Sequence, residues 1–307
     1  LGASGRGFRM RYSPNSWGAM LMAISMFSFV FNDGLMKVLF ADMSIYQAIF
    51  LRGLVTAPLM ALLALRAGVL IARLGRRDTR LVLIRVASEL AATVGFLTAL
   101  SYMPLANVTA ILQVLPLTVT MAAALFLGEA VGWRRWLAIL FGFGGVVLII
   151  RPGMEGFSAY SIWALGAVAA VTIREITTRK LSRDVPSLPV ALATAVSICG
   201  LGAISLPGVT WTPVEPMMWL YICGAGVSII GGYLFSVMAV RNGELGFVSP
   251  FRYTAMVWAI ALGYLLFDEW PDLPTLTGTA IIIATGLYSL HRERFRALEA
   301  ANRQPSP

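Results

Sequence analysis

The stretch that decides the fold runs from Leu105 to Glu129 and reads LANVTAILQVLPLTVTMAAALFLGE. It is apolar enough to cross a lipid bilayer, contains a proline near its middle, and ends in an acidic residue. A similar pattern returns 140 positions later, from Leu245 to Glu269, as LGFVSPFRYTAMVWAIALGYLLFDE. Aligned without a gap, the first leucines and the last glutamates of the two stretches coincide. Such duplicated membrane segments are typical of transporters built from two halves.

The composition around these two stretches is that of a membrane protein. Of the 307 residues, 58% are hydrophobic and 13% are charged, and the mean hydropathy is +0.78. Soluble domains carry about a quarter charged residues, so the chain is predicted to cross the membrane several times. The net charge of +9 does not indicate nucleic acid, because the basic residues form short clusters between apolar spans.

Ten spans approach the roughly 20 apolar residues that crossing the bilayer requires. Their predicted bounds are 17–40, 45–65, 80–103, 105–128, 133–150, 160–180, 187–206, 217–240, 246–267 and 273–290. No connection between them is long enough to hold a soluble domain. Residues 1–8 lack the apolar core of a signal peptide, so none is expected there.

The distribution of Lys and Arg predicts the orientation. If the amino terminus is cytoplasmic, the connections on that side hold basic clusters such as Arg76, Arg77 and Arg80, whereas the outer connections hold only Arg151. Basic residues favour the cytoplasmic side, so both termini are predicted to be cytoplasmic.

The repeat and the orientation together predict an inverted topology. Five spans per repeat is an odd number, so the second unit enters the membrane from the opposite face and the two units are related by an axis in the membrane plane. The predicted organisation is an amino-terminal tail over 1–15, five-helix repeats over 16–151 and 158–291, and a cytoplasmic tail over 292–307. A site between such repeats can face either side, which is the basis of alternating access.

Residues 95–153, GFLTALSYMPLANVTAILQVLPLTVTMAAALFLGEAVGWRRWLAILFGFGGVVLIIRPG, resemble the signature of the drug/metabolite transporter superfamily in its ten-helix EamA branch. FNDGLMKVLF and Arg52 in the first half, with YLFSVMAVRNGELGFVSPF in the second, extend the resemblance from about Trp17 to His291. One departure is Asp268-Glu269, where the family usually has Gly-Glu. The resemblance implies a transporter fold, and within the branch the chain is most similar to bacterial exporters of aromatic amino acids.

Polar side chains are costly in hydrocarbon, so spans with polar stripes are predicted to line a central cavity. Stripes occur on spans 1, 3, 4, 6, 8 and 9, whereas spans 5 and 10 lack buried charge and are expected outside. The cavity candidates are Lys37, Glu89, Phe96, Tyr102, Thr109, Gln113, Trp163, Ser228, Tyr233, Arg252 and Tyr253. The predicted hinges are Pro116, Gly232 and Pro250. Proline removes a helical hydrogen bond, and glycine lets the helix backbone bend more easily than other residues do.

The paired charges have two interpretations of equal weight. Asp33 and Lys37, like Arg85 and Glu89, lie four positions apart on one helix, which favours a neutral intrahelical pair as much as a substrate contact. Other membrane charges suit structural roles. Arg174 and Glu175 are expected to reach toward the interface, and the glutamates that end the two duplicated stretches are expected to cap or join helices.

Arg252 and Gln113 are the sharpest functional candidates. An unpaired guanidinium deep in a span lines water or meets an anion, and a substrate carboxylate supplies one. The equally weighted alternative is that Arg252 caps carbonyls freed by Pro250 or pairs with Glu89. Trp163 and Tyr102 lie near span ends, where aromatic rings are ordinarily interface anchors.

The sequence therefore predicts a secondary transporter of the bacterial inner membrane that exports small metabolites, most of all amino acids including aromatic ones. Proton-coupled multidrug efflux, with Glu89 or Asp33 carrying the proton, is the alternative within this class. An intramembrane hydrolase is the alternative from another class, but GxSxG and a membrane histidine are absent from the sequence. No GxxxxGK is present, and no enzyme activity, cofactor, metal or nucleic-acid partner is expected. The expected partners are a small-molecule substrate and the lipid bilayer, and the sequence is compatible with a monomer.

Overall fold

The regular structure is helical throughout the part of the chain that the computed structural model describes, which is residues 13–70, 74–154, 157–182 and 184–302. The α-helices are α1 (Pro14–Leu39), α2 (Ile45–Arg66), α3 (Arg76–Tyr102), α4 (Leu105–Leu112), α5 (Leu115–Leu127), α6 (Trp133–Ile150), α7 (Ser161–Arg179), α8 (Ser187–Ser205), α9 (Pro216–Asn242), α10 (Leu245–Val248), α11 (Thr254–Phe267) and α12 (Leu273–Asn302). Two 3₁₀ turns, Leu206–Gly208 and Ser249–Tyr253, complete the described elements. The predicted all-α fold is confirmed over these residues.

Nine helical segments of the described chain are long and apolar enough to cross a membrane. They coincide with nine of the ten predicted spans to within four residues at each end. The other predicted span is α7, whose charged Arg174 and Glu175 lower its hydropathy. The last helix was expected to end at 290 but runs on to Asn302, because the residues after the apolar span are mostly good helix formers. Residues 1–12 and 303–307 of the predicted tails lie outside the description.

The fourth and ninth crossings are each broken near a proline. α4 ends at Leu112 and α5 begins at Leu115, with Pro116 in its first turn, where a missing amide hydrogen costs little. In the ninth crossing, Pro250 lies within the 3₁₀ turn that separates α10 from α11. The predicted interruptions are therefore present. That they act as hinges stays a prediction.

The same two crossings also end alike. Gly128 and Asp268 both adopt left-handed backbone, with φ of 69° and 54°. The amide of Glu129 then donates to the Ala123 carbonyl at 3.3 Å, and that of Glu269 donates to the Gly263 carbonyl at 3.0 Å. Both bonds reach back six residues and satisfy a carbonyl at the end of the helix, as left-handed caps do. Aspartate replaces the usual glycine in the second copy because its short side chain tolerates this conformation better than most.

Four helix pairs form the bulk of the packing: α1 with α9, α3 with α7, α2 with α8, and α6 with α12. Each pair is antiparallel. In α2 and α8, for example, Gly53 lies against Cys199 and Phe50 lies against Gly202. Residue numbers therefore rise along one helix as they fall along the other. Each pair joins a helix of the first half to a helix of the second half. For example, α1 packs on α9, the eighth crossing, and α3 packs on α7, the sixth.

The contact between α6 and α12 depends on two glycines. A Cβ at Gly145 would lie 2.7 Å from the Gly278 carbonyl, and one at Gly278 would lie 2.6 Å from the Gly145 carbonyl. Small residues allow this close approach of backbones, which favours helix association in lipid.

The largest fully buried side chains are concentrated at one end of the bundle, called here the sealed end. It comprises the C-terminal ends of α1 and α3 and the N-terminal ends of α2, α4 and α9. Met36, Leu39, Ile49, Leu100, Leu105 and Ile222 are all at most 1% exposed there. Gln47, also fully buried, donates to the Thr212 carbonyl at 2.7 Å and accepts from the Thr212 amide at 3.0 Å.

We expect Gly145→Ala to destabilise the protein by about 1–3 kcal/mol, because the added methyl group would press on the α12 backbone. Thermal unfolding of the purified protein in detergent measures the effect. Gly144→Ala is the matched control, since a Cβ there meets nothing within 4 Å. Equal melting temperatures for the two variants would contradict the close contact.

Candidate functional site

A charged cluster lies where α3 and α7 cross. Glu89, the central residue of α3, accepts a hydrogen bond from Arg174 Nη1 at 2.8 Å. Arg174 also donates from Nη2 to Glu175 at 2.6 Å. Two carboxylates therefore share one guanidinium, which keeps a buried cation compensated on both sides. Glu175 is the more open acid, with 40% of its side chain exposed, compared with 10% for Glu89.

Tyr233 of α9 extends the cluster to a third helix. Its hydroxyl donates to the second carboxylate oxygen of Glu89 at 3.5 Å, and its ring meets Phe29 of α1 edge-on at 5.4 Å between centroids. Although Tyr233 is mid-helix, 36% of its surface is exposed. An aromatic surface thus lies beside the paired charges.

Two further arginines, Arg85 and Arg252, lie next to this cluster. Arg85 donates to the hydroxyls of Thr178 and Thr194, at 3.2 and 2.9 Å, and so joins α3 to α7 and α8. Arg252, in the 3₁₀ turn of the ninth crossing, is exposed and lies within electrostatic range of Glu175. The ion pair of Glu89 is with Arg174 rather than with Arg252, so that structural alternative for Arg252 is wrong.

A second polar group lies between α1 and α2. Buried Arg52 donates to the Asn32 side-chain oxygen at 3.2 Å, and the Asn32 amide donates to Asp33 at 2.9 Å. Arg52 is also within electrostatic range of Asp33, Tyr233 and Glu89. This group therefore borders the charged cluster.

The intrahelical pairs suggested by the sequence are not formed. Lys37 binds Glu269 instead of Asp33, and Glu89 binds Arg174 instead of Arg85. Arg174 likewise binds two acids rather than reaching toward the interface. The reason is shared: long side chains reach partners on neighbouring helices, which spacing along one helix cannot reveal.

Lys37 lies at the sealed end rather than in the charged cluster. Its ammonium donates to Glu269 at 2.5 Å and to the Met103 carbonyl at 2.8 Å, and it lies 4.9 Å from the Phe267 ring centroid. The expectation that Glu269 joins helices is confirmed by these contacts. The other terminal glutamate, Glu129, also joins helices through Arg179.

Gln113 lies where the two broken crossings meet. Its side-chain amide donates to the Tyr253 carbonyl at 3.3 Å, and both residues are buried. These two positions are 140 apart, which is also the offset of the duplicated stretches. The bond therefore joins equivalent positions of the two copies.

The remaining candidates are more dispersed. Tyr102 is 61% exposed and stacks on Tyr160 at 3.9 Å, and Trp163 is 49% exposed. Phe96 packs against the hydrophobic core, Thr109 is buried and Ser228 is partly buried. The predicted hinge Gly232 accepts a hydrogen bond from Ser25 at 2.7 Å and lies against the Phe29 ring.

The structure thus brings together Glu89 and Tyr233 from the predicted set, with Arg252 nearby, and adds Arg174 and Glu175 that sequence reasoning had assigned elsewhere. The signal for the added pair was two adjacent opposite charges inside a span. No group of three or more His, Cys, Asp or Glu residues that could hold a metal occurs among the described residues. What the cluster offers is charge of both signs beside an aromatic ring.

The chain is similar in sequence to bacterial membrane transporters. The chain is 26% identical over 282 residues to the pseudopaline exporter of Pseudomonas aeruginosa (strain UCBPP-PA14), covering 87% of this chain and 93% of that protein. It is also 26% identical over 197 residues to the S-adenosylmethionine uptake transporter of Rickettsia conorii, covering 64% and 66%.

A solved crystal structure shares the fold, with a TM-score of 0.63 and 18% identity over 92% of this chain and 99% of that one. The family model described as the EamA-like transporter family matches residues 16–151 and 158–290. The chain accordingly belongs to the EamA-like transporter family, whose members are membrane transporters and not enzymes.

Proposed function

We propose that the protein is a secondary transporter that exports small amphipathic metabolites, above all amino acids including aromatic ones, across the bacterial inner membrane. The observation that carries this proposal is the cluster of Glu89, Arg174, Glu175 and Tyr233 at the crossing of three helices, with Arg252 exposed beside it. Charges of both signs in hydrocarbon are costly, and they mark substrate paths in membrane proteins.

An amino acid matches the chemistry of this cluster group by group. Its carboxylate needs a cation, and of the three arginines at the cluster (Arg85, Arg174 and Arg252) only Arg252 makes no hydrogen bond to a described residue. Its ammonium needs an acid that is still open, as Glu175 is. A ring or apolar side chain suits the surface formed by Tyr233 and Phe29.

The proposed direction of transport is based on the named functions of the related proteins. One relative is named as an exporter and another as an uptake transporter, at the same 26% identity. The match to the exporter covers 87% of this chain, compared with 64% for the uptake transporter. The wider match favours export.

Alternating access is supported by three observations that fit inverted repeats over 16–151 and 158–291. First, the equivalent helices α2 and α8 are antiparallel, as are α6 and α12. Second, the packing of α1 on α9 has its counterpart in the packing of α7 on α3. Third, the Gln113–Tyr253 bond joins positions related by the repeat offset. Because both repeats lie on one chain, a monomer suffices.

For the orientation, we expect a reporter that is active only outside the cytoplasm to be silent when fused after Arg303. The same reporter inserted into the 208–214 connection should be active. Basic residues on one side of the membrane are the physical reason. Activity in the opposite pattern would invert the topology.

For the site, we expect Arg252→Gln to raise the transport KM about tenfold or more, because a charged hydrogen bond to the substrate contributes about 1.5–3 kcal/mol. Purified protein in liposomes, tested with labelled amino acids, measures this. Arg241→Gln is the control, since Arg241 is an exposed arginine at the end of α9.

The melting temperature of Arg252→Gln separates the two roles of this residue. If transport stays normal while the melting temperature falls sharply, Arg252 is structural and the binding role is wrong. An unchanged melting temperature with raised KM supports the binding role.

Proton-coupled efflux is the second candidate, and the structure favours Asp33 over Glu89 as its proton carrier. Glu89 is paired with Arg174, whereas Asp33 accepts a bond only from the Asn32 amide among the described hydrogen bonds. We expect Asp33→Asn to abolish transport driven by a pH gradient while substrate exchange at equal pH continues. Glu89→Gln is the comparison, and loss of gradient-driven transport only in Glu89→Gln would exclude Asp33.

A further inference from the structure

Glu269 gathers three elements at the sealed end. One carboxylate oxygen accepts from Lys37 of α1 at 2.5 Å, and the other accepts from the Leu105 amide at the start of α4 at 3.0 Å. Lys37 also binds the Met103 carbonyl at the end of α3. The ninth crossing is thereby tied to the first, third and fourth.

Glu129 is the repeat equivalent of Glu269, 140 positions earlier and after the same left-handed turn. It also forms an ion pair with a cation at a helix end, since Arg179, the last residue of α7, donates to it at 3.1 Å. α7 is the first helix of the second repeat, as α1 is of the first. The two ion pairs therefore have the same place in their own repeats.

The two pairs differ in burial. The side chains of Lys37 and Glu269 are 13% and 25% exposed, whereas those of Arg179 and Glu129 are 48% and 49% exposed. The Lys37 pair lies in the densely packed sealed end. The Arg179 pair lies at the opposite end of the bundle, because the fourth crossing begins at the sealed end and finishes at Glu129.

We propose that these two ion pairs are alternating latches. Lys37–Glu269 closes the outer end in the observed conformation, whereas Arg179–Glu129, formed but solvated here, becomes buried and closes the cytoplasmic end in the opposite one. The proposal rests on the alternating access proposed above. A pair gains most from its geometry when it is buried and fully hydrogen-bonded, and it contributes little when it is solvated. Each latch therefore stabilises one conformation, and their balance sets which end is open.

The test is accessibility, which needs no substrate. In a variant with Cys199→Ala and Cys223→Ala, a reporter cysteine replaces Ala106, a 1% exposed residue of the sealed end. The protein is placed in lipid nanodiscs and labelled with a membrane-impermeant maleimide. We expect Glu269→Gln to raise the labelling rate about tenfold or more by shifting the population toward the outer-open state. Glu129→Gln should not raise it.

Two further variants keep the result decisive. Lys37→Met should raise the rate as Glu269→Gln does, and the charge swap Lys37→Glu with Glu269→Lys should restore slow labelling. The latch is excluded if Glu269→Gln labels at the parent rate, or if Glu129→Gln accelerates labelling equally. It is also excluded if fast labelling comes with loss of monodisperse elution and is not reversed by the swap.

Failure of the latch and failure of the transport proposal are distinguishable. Liposomes that transport amino acids while labelling is insensitive to Glu269 would exclude only the latch. Liposomes that transport none of the amino acids tested would exclude the proposed substrate, while the labelling result would still decide the latch.

Discussion

The fold depends on one constraint, which is that a charge buried in hydrocarbon is costly unless another group compensates it. Arg174 illustrates it, because its guanidinium is held by Glu89 of α3 and by Glu175 of its own helix. Removing one partner from such a group leaves an uncompensated buried charge, which costs about 3–5 kcal/mol. The charged cluster therefore fixes how α3 and α7 face one another, and the same groups are the ones a charged substrate would meet.

Glycine contacts and charge pairs have different parts in this packing. Lipid supplies no hydrophobic drive between helices, so association depends on close backbone approach at positions such as Gly145 and Gly278. These contacts set the distance between helices, whereas the ion pairs set their register. The proposed alternating access needs both, because the helices must stay packed while the ion pairs at either end exchange.

The sequence was sufficient for the spans but not for the partners. Hydropathy locates the crossings because each must be apolar over the membrane thickness, and proline locates the two breaks. Spacing along one helix suggested Asp33 for Lys37 and Arg85 for Glu89. The actual partners, Glu269 and Arg174, lie 232 and 85 residues away. No local rule reaches them, because they depend on which helices pack together in the fold.

The twofold axis proposed between the repeats explains how two halves with different residues can still fit. A group on a twofold axis meets its own equivalent, and Gln113 accordingly donates to the Tyr253 carbonyl. The reverse bond cannot form, because a tyrosine has no side-chain amide. The Tyr253 ring turns instead toward α12, where a Cβ at Gly286 would lie 1.7 Å from its hydroxyl oxygen. Because the Tyr253 hydroxyl occupies the space that a Cβ would need, this position requires glycine. The two halves differ in their contacts, so the proposed latches at the two ends are expected to differ in strength.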